Sequence, residues 1–389
     1  MQTDSIRIEK IMLKDLYGFS RRALRDPVFE DVLPITPARA FSQSKNPHGA
    51  PDDCVLLVAY ADKRCVGYSG LVPGLFHHHD GLSKIYYAST FFISPAMRSK
   101  GIGQLMLNEL KHLKVDIIFT GMTQSAKRAY DRIGFKKLGS LPFFQLRIEK
   151  INRFHPFWSA VFDALTSRQG CFEKFVFYLK QIESFFYRLS KMTWYRRVLN
   201  QYKNEKFLIR AVNQISSETE AARPARTEPE FIRGVEIVNW MLKHPWIRSS
   251  AEGEKKVKNY FFSSSRDFFK FFALEIYAAD QKSLKGFLVL SVSRQRNRTV
   301  IKLLDFLIPA AELDWIGLAA LRHARKFLAD RIEFPAEMAF FFSQNRRLKP
   351  LLKRRKRLYL YQPQGDQSPL KKAAGKITLN YCDSDIAFF

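Results

Sequence analysis

Tyr86-Tyr87-Ala88-Ser89-Thr90-Phe91-Phe92-Ile93 is followed by Ser94-Pro95 and then by Arg98-Ser99-Lys100-Gly101-Ile102-Gly103. The opening residues are β-branched, aromatic or small, which suits a buried strand. The proline cannot continue a central strand. Past Gly103, Leu105, Leu107, Leu110 and Leu113 fall on or near one face of a helix. A glycine-rich turn between a strand and a helix N-terminus leaves several backbone N–H groups unpaired and aimed one way. With the helix dipole, Arg98 and Lys100, that turn is an anion site.

Two glycines alone are weak evidence, because a structural turn uses them too. Here a second signal follows in order. Residues 115–120 read as a strand, and Ala126, Tyr130, Gly134 and Phe135 come at fixed intervals after it. Arg-x-x-Gly-x-Gly directly after a strand resembles the coenzyme A pyrophosphate loop of the GNAT (GCN5-related) N-acetyltransferases. The later residues resemble that family's N-x-x-A-x-x-x-Y-x-x-x-G-F helix, with Thr123 where asparagine usually stands. The resemblance covers residues 1–148 and implies an acyl-CoA-binding domain with an α/β fold built on a mixed sheet.

A chain of 389 residues suggests two or three domains, and 46% hydrophobic content is that of a globular protein. Cys54, Cys65, Cys171 and Cys382 show neither metal-ligand spacing nor a dense framework, and read as reduced cytosolic thiols. The first residues lack a basic segment followed by an apolar core, so no secretory signal is expected. No apolar run reaches the roughly 18 residues of a membrane span. Lys plus Arg number 64 against 37 Asp plus Glu, a net charge of +27. Such a surface favours anionic partners: coenzyme A, nucleotide-sugars, nucleic acid or an acidic lipid face.

In chain order, residues 6–13 alternate as a strand and 15–25 read as a short helix. Residues 26–53 are rich in Pro, Ser and Asn and read as loop with one helical turn. Residues 54–60 and 64–76 form a hairpin, and 136–148 should close the first sheet. Between 151 and 205, Phe172, Phe175, Val176, Leu179, Ile182, Phe186 and Leu189 fall at helical intervals. Such a basic, aromatic helix is read as packing between two domains, or as lying on an anionic membrane surface. Residues 216–230 are poor in apolar side chains and read as a linker. Beyond it come a helix at 235–242, a hairpin (271–278 and 284–292), a strand at 299–308 and a helix at 311–329. A helix at 344–353 and strands at 358–361 and 377–381 complete the chain.

That order repeats the first half, so the second half reads as another GNAT-like domain. The expected organisation is a catalytic domain at 1–150, a basic aromatic helical connector at 151–215, the linker at 216–230 and a degenerate domain at 231–389. Where the second domain should carry the coenzyme A loop it reads Ala310-Ala311-Glu312-Leu313-Asp314-Trp315. An acidic pair there would repel a pyrophosphate, so this domain is not expected to bind coenzyme A.

The resemblance implies acetyl-CoA or another acyl-CoA as co-substrate and direct attack by a primary amine on the thioester. Arg98, Ser99, Lys100, Gly101, Ile102 and Gly103 would hold the pyrophosphate, with Thr123 and Ala126 at the neighbouring helix start. The pantetheine arm would run beside Phe91, Phe92 and Ile93. A backbone N–H near Phe92 would face the thioester oxygen, and one such donor is worth about 3 kcal/mol of barrier. Tyr130 would protonate the leaving thiolate; the alternative is a core tyrosine packed over the sheet. No general base is assigned, because residues 86–93 contain no carboxylate.

No residue is assigned to a metal: adjacent residues such as His77-His78-His79 point different ways on an extended turn. Asp383-Ser384-Asp385 is read as a chance tripeptide. Residues 346–357, opening on Arg346 and closing on Arg357, hold eight Lys or Arg in twelve positions and no acid. They read as a solvated helix face and turn, or as a contact for anionic membrane or nucleic acid. The leading expectation is a cytoplasmic N-acyltransferase, possible contact at a membrane surface included, acting on a small-molecule or protein amine. Acceptor choice is expected at residues 26–53 and at the domain junction. The alternatives are a non-catalytic acyl-CoA sensor docking on membrane or nucleic acid, and an aminoacyl or long-chain acyl transferase on the same tandem fold.

Overall fold

The computed structural model describes residues 6–98, 100–151, 173–204, 206–221, 223, 227–250, 259–280 and 283–383. The first elements are β1 (Ile6–Met12), α1 (Leu13–Ala23), α2 (Pro37–Ser44), β2 (Cys54–Ala61), β3 (Arg64–His78), β4 (Gly81–Ile93), α3 (Ile102–His112), β5 (Ile117–Thr120), α4 (Gln124–Arg132) and β6 (Lys136–Arg147). Then come α5 (Glu173–Leu199), β7 (Phe207–Val212), β8 (Glu230–Phe231), α6 (Val235–Lys243), β9 (Arg248–Ser249), β10 (Ser265–Arg266) and β11 (Phe268–Ala278). The last are β12 (Leu284–Gln295), β13 (Arg298–Leu307), α7 (Leu313–Lys326), β14 (Arg331–Pro335), α8 (Ala339–Gln344) and β15 (Leu352–Gln362). The chain forms two units: Met1–Pro142, Val212–Ala273 and Lys356–Phe389 in the first, Phe143–Ala211 and Leu274–Arg355 in the second.

In the first unit the strand order is β1-β2-β3-β4-β5-β15. All neighbours are antiparallel except β4 and β5, which run parallel. Period-two alternation gives the sheet two apolar faces. Leu56, Val58 and Tyr68 pack with Leu16 and Phe19 of α1 on one face. Leu57, Leu71 and Phe119 pack with Met106 of α3 and Tyr130 of α4 on the other.

Residues 26–53 hold more structure than their composition suggests. Thr36 accepts a hydrogen bond from the Arg39 backbone N–H at 3.3 Å, and Pro37 opens α2. Arg39, Ser42 and Gln43 are all buried, so the polar residues that read as loop in fact face inward. Arg39 donates to the Tyr260 hydroxyl at 3.1 Å and lies over the Trp246 ring.

The second unit repeats the order as β7-β11-β12-β13-β14-β6. β12 and β13 are antiparallel, β13 and β14 parallel, β14 and β6 antiparallel. The fold is therefore α/β, one strand plan repeated in tandem.

Residues 143–147 of β6 pair with β14 in the second unit. The place beside β5 goes to residues 359–362 of β15. Alternation specifies which face a side chain occupies but not which strand lies next to it. Residues 344–353 are not a helix: α8 ends at Gln344, and one 3-10 turn at Lys349–Leu351, opened by Pro350, leads into β15. The basic stretch thus ends in a strand, with Lys353, Arg354, Arg355 and Lys356 exposed. Residues 377–381 form no strand, only an isolated bridge from Thr378 to Glu230.

Candidate active site

β4 stays paired with β3 to its end, with Ile93 opposite Gly67, across an irregularity that leaves Ser89 unmatched between Ala88 and Thr90. On its other side the pairing with β5 stops at Ala88 opposite Phe119. Among the described residues, 89–93 therefore have no strand partner on the β5 side. A bulge sharpens local twist, which is what separates two parallel strands. The result is a wedge whose β4 edge, among the described residues, is taken up by no neighbouring strand.

The wedge runs into the glycine turn. Pro95–Met97 makes one 3-10 turn, and the Arg98 Nε donates back to the Ile93 carbonyl at 3.2 Å. Gly101 has φ +80°, a conformation that disfavours a β-carbon, and it is the N-cap of α3. Ile102 is buried and anchors the helix start. A β-carbon on Gly103 would sit 3.9 Å from Phe91 and 4.0 Å from Ile93, ordinary contact distances. Protein packing therefore does not require glycine there; a phosphate approaching the helix end would. Arg98 and Lys100 are exposed at the same turn, and no acid lies in the first turn of α3. Ser99 lies outside the described residues.

Tyr130 is buried on α4, its ring 4.4 Å from Phe119, 5.4 Å from Phe135 and 6.2 Å from Phe91 between centroids. No hydrogen bond to its hydroxyl occurs among the described residues. Burial holds that hydroxyl well above the usual tyrosine range, so it is protonated at neutral pH. Thr123 caps α4 by accepting from the Ala126 N–H at 3.2 Å, which occupies that donor. Phe91 faces α4, whereas Phe92 faces the other way and stacks on Phe261 at 3.8 Å.

The opposite face of β4 carries a polar cluster that sequence reasoning missed. Tyr87 and Gly74 line a small cavity of about 40 Å³ with His48, Arg233, Trp246 and Asp383. Asp383 is buried, lies 3.5 Å from the Arg233 Nε and accepts the Asn380 N–H at 2.5 Å. Burial, then the Asp383 charge, hold the Tyr87 hydroxyl well above its ordinary range. Burial lowers the His48 imidazole to about 4. A β-carbon on Gly74 would meet the Tyr87 ring at 2.6 Å, so this wall needs glycine. These residues come from separate parts of the chain, and no local signal links them. Asp383, read as part of a chance tripeptide, has this environment; Ser384 and Asp385 lie outside the described residues.

Residues 52–137 match the model of the acetyltransferase (GNAT) domain family. These residues are a GNAT domain. Comparison with curated proteins gives no match. Among solved structures, Saccharomyces cerevisiae N-myristoyltransferase with bound myristoyl-CoA is similar at TM-score 0.51 and 8% identity, over 97% of this chain and 86% of that one. A GCN5-related N-acetyltransferase from Anabaena variabilis aligns at TM-score 0.48 and 10% identity, over 93% and 73%. A tandem GNAT protein from the clavulanic acid biosynthesis pathway aligns at 0.45 and 10%, over 94% and 100%. The GNAT match contains the wedge, the glycine turn and Tyr130.

Proposed function

We propose that this chain is an acyl-CoA-dependent N-acyltransferase, most simply an N-acetyltransferase, whose catalytic centre is the GNAT domain. The observation that carries this reading is the wedge between β4 and β5 opening onto the Gly101 turn, with the Tyr130 ring packed on Phe91 beside it. The donors at the start of α3, with Arg98 and Lys100, hold the pyrophosphate. The free edge of residues 89–93 pairs with the amides of the pantetheine arm, and a β4 N–H polarises the thioester carbonyl. An amine attacks that carbonyl in a ternary complex: the C–N bond forms, the C–S bond breaks, the attacking nitrogen gives up one proton to solvent, and Tyr130 gives its proton to sulphur and is reprotonated from solvent. Burial keeps that proton on the hydroxyl at neutral pH and, by making the hydroxyl a weaker acid, sets a cost on the transfer.

The acceptor is a small amine, such as an amino sugar or amino acid, or a protein amine. It approaches from the α2 face, where residues 26–53 and the Tyr87 cluster line the opposite side of β4. Titration calorimetry of acetyl-CoA into wild type and into the Gly101→Glu, Gly103→Glu double variant tests the reading. Micromolar binding, lost in a folded variant, is expected. A folded wild type that binds no acyl-CoA would make the turn structural and end the proposal.

A further inference from the structure

Helix α5 is amphipathic in the reverse of the usual sense. Its inner face is polar and pinned: Lys191 Nζ donates to Asp330 at 2.8 Å and to the Leu328 carbonyl at 2.7 Å. Tyr187 donates to the same carboxylate at 2.5 Å, and buried Tyr195 to the Ala329 carbonyl at 3.0 Å. Tyr187, Lys191 and Tyr195 recur every fourth residue, so they fix the rotation of the helix about its axis. The side facing solvent carries an apolar stripe among exposed polar residues such as Arg188 and Thr193. Tyr178, Ile182, Phe185, Leu189 and Met192 follow a four-three spacing along one stripe, and with Phe186 beside them they are 41–65% exposed.

The charge around the stripe selects its occupant. By helical geometry Arg196 continues it, while Arg188 and Arg197 flank it on either side, each roughly 80–100° away. All three are exposed, and the sole acid of residues 178–199, Glu183, is half-buried. A second copy of this chain would bring two +27 molecules and two arginine rows together, with no acid to complement them. No helix among the described residues is long and apolar enough to cross a membrane. We infer that α5 is a docking surface for an anionic lipid bilayer: its aromatic and aliphatic side chains enter the acyl boundary, and Arg188, Arg196 and Arg197 contact acidic headgroups.

Vesicle co-sedimentation of the full chain is the test. Expected is binding to phosphatidylserine-containing vesicles, weakened by salt, with little binding to phosphatidylcholine alone. The Phe185→Ser, Phe186→Ser, Leu189→Ser variant should lose binding by about tenfold or more, and Phe185→Ser alone by less. Because these side chains are exposed, both variants should keep the wild-type melting temperature. Wild-type binding by the folded triple variant overturns the inference, as does loss only on neutralising Lys353, Arg354, Arg355 and Lys356. A folded wild type that binds no anionic vesicle also overturns it. So does light scattering that finds a dimer which the triple variant abolishes, since the stripe would then be a contact between copies.

Discussion

Tyr130 and the two loop glycines separate function from stability residue by residue. The Tyr130 hydroxyl makes no hydrogen bond among the described residues, so Tyr130→Phe keeps the ring packing and should change stability by less than about 0.5 kcal/mol. Steady-state kinetics should nonetheless show kcat lower by about a hundredfold, the usual worth of a positioned acid; an unchanged kcat would return Tyr130 to the core. Gly101 and Gly103 should behave as opposites. Gly101→Ala forces a β-carbon into φ +80° and should cost about 1 kcal/mol in urea unfolding. Gly103→Ala meets only ordinary contacts and should leave stability unchanged, yet weaken acyl-CoA binding by calorimetry. His48 supplies a pH dependence. Burial lowers its folded pKa to about 4 from 6.5, so the folded state binds fewer protons between those values. Its contribution is complete above pH 6.5 and is lost as pH falls toward 4, on the order of 1 kcal/mol after allowance for partial exposure. Urea midpoints in His48→Gln should be flatter across that window. The glycines and Tyr130 were legible as a pattern; the burial of His48 was not, because it depends on residues far along the chain.

At the scale of elements, α5 depends on one buried ion pair. The Lys191 and Asp330 side chains are 5% and 6% exposed, and Asp330 also accepts the Thr299 N–H at 2.7 Å. Lys191→Met would strand a buried carboxylate and should cost about 3 kcal/mol. Exposed Arg188→Met should cost less than about 0.5 kcal/mol. Equal urea midpoints for the two variants would show that the pair does not hold the helix. Helical periodicity located this helix, and three of its exposed apolar residues, Ile182, Phe186 and Leu189, were legible at helical intervals. That the stripe faces outward was not, because an apolar stripe ordinarily marks the buried face. Similarly, residues 26–53 read as loop with one helical turn because they are rich in Pro, Ser and Asn, whereas α2, capped by Thr36, lies there with Arg39 and Gln43 facing inward.

For the whole molecule, the units are interleaved along the chain. The first takes Tyr260 into the core behind α1 and Leu360 into the core behind α4, each from beyond residue 150. A fragment of residues 1–150 also lacks the strand that covers β5, leaving a bare apolar edge. Such a fragment should aggregate or melt without cooperativity, whereas the full chain should unfold with a sharp calorimetric transition. A soluble 1–150 fragment with a cooperative melt would show that the exchange is dispensable.

By itself the sequence determined the strand, breaker, glycine turn and helix on which the proposed donor site rests, since they are contiguous and each follows from local backbone preference. It also determined the tandem plan, because the order of elements survives where residue identity does not. Tertiary structure alone decided which strand lies beside β5, which polar groups of α2 are buried, and that Tyr87, His48 and Asp383 share one wall. Strand alternation encodes a face and not a neighbour, and a buried polar group acquires its partner only when distant segments meet.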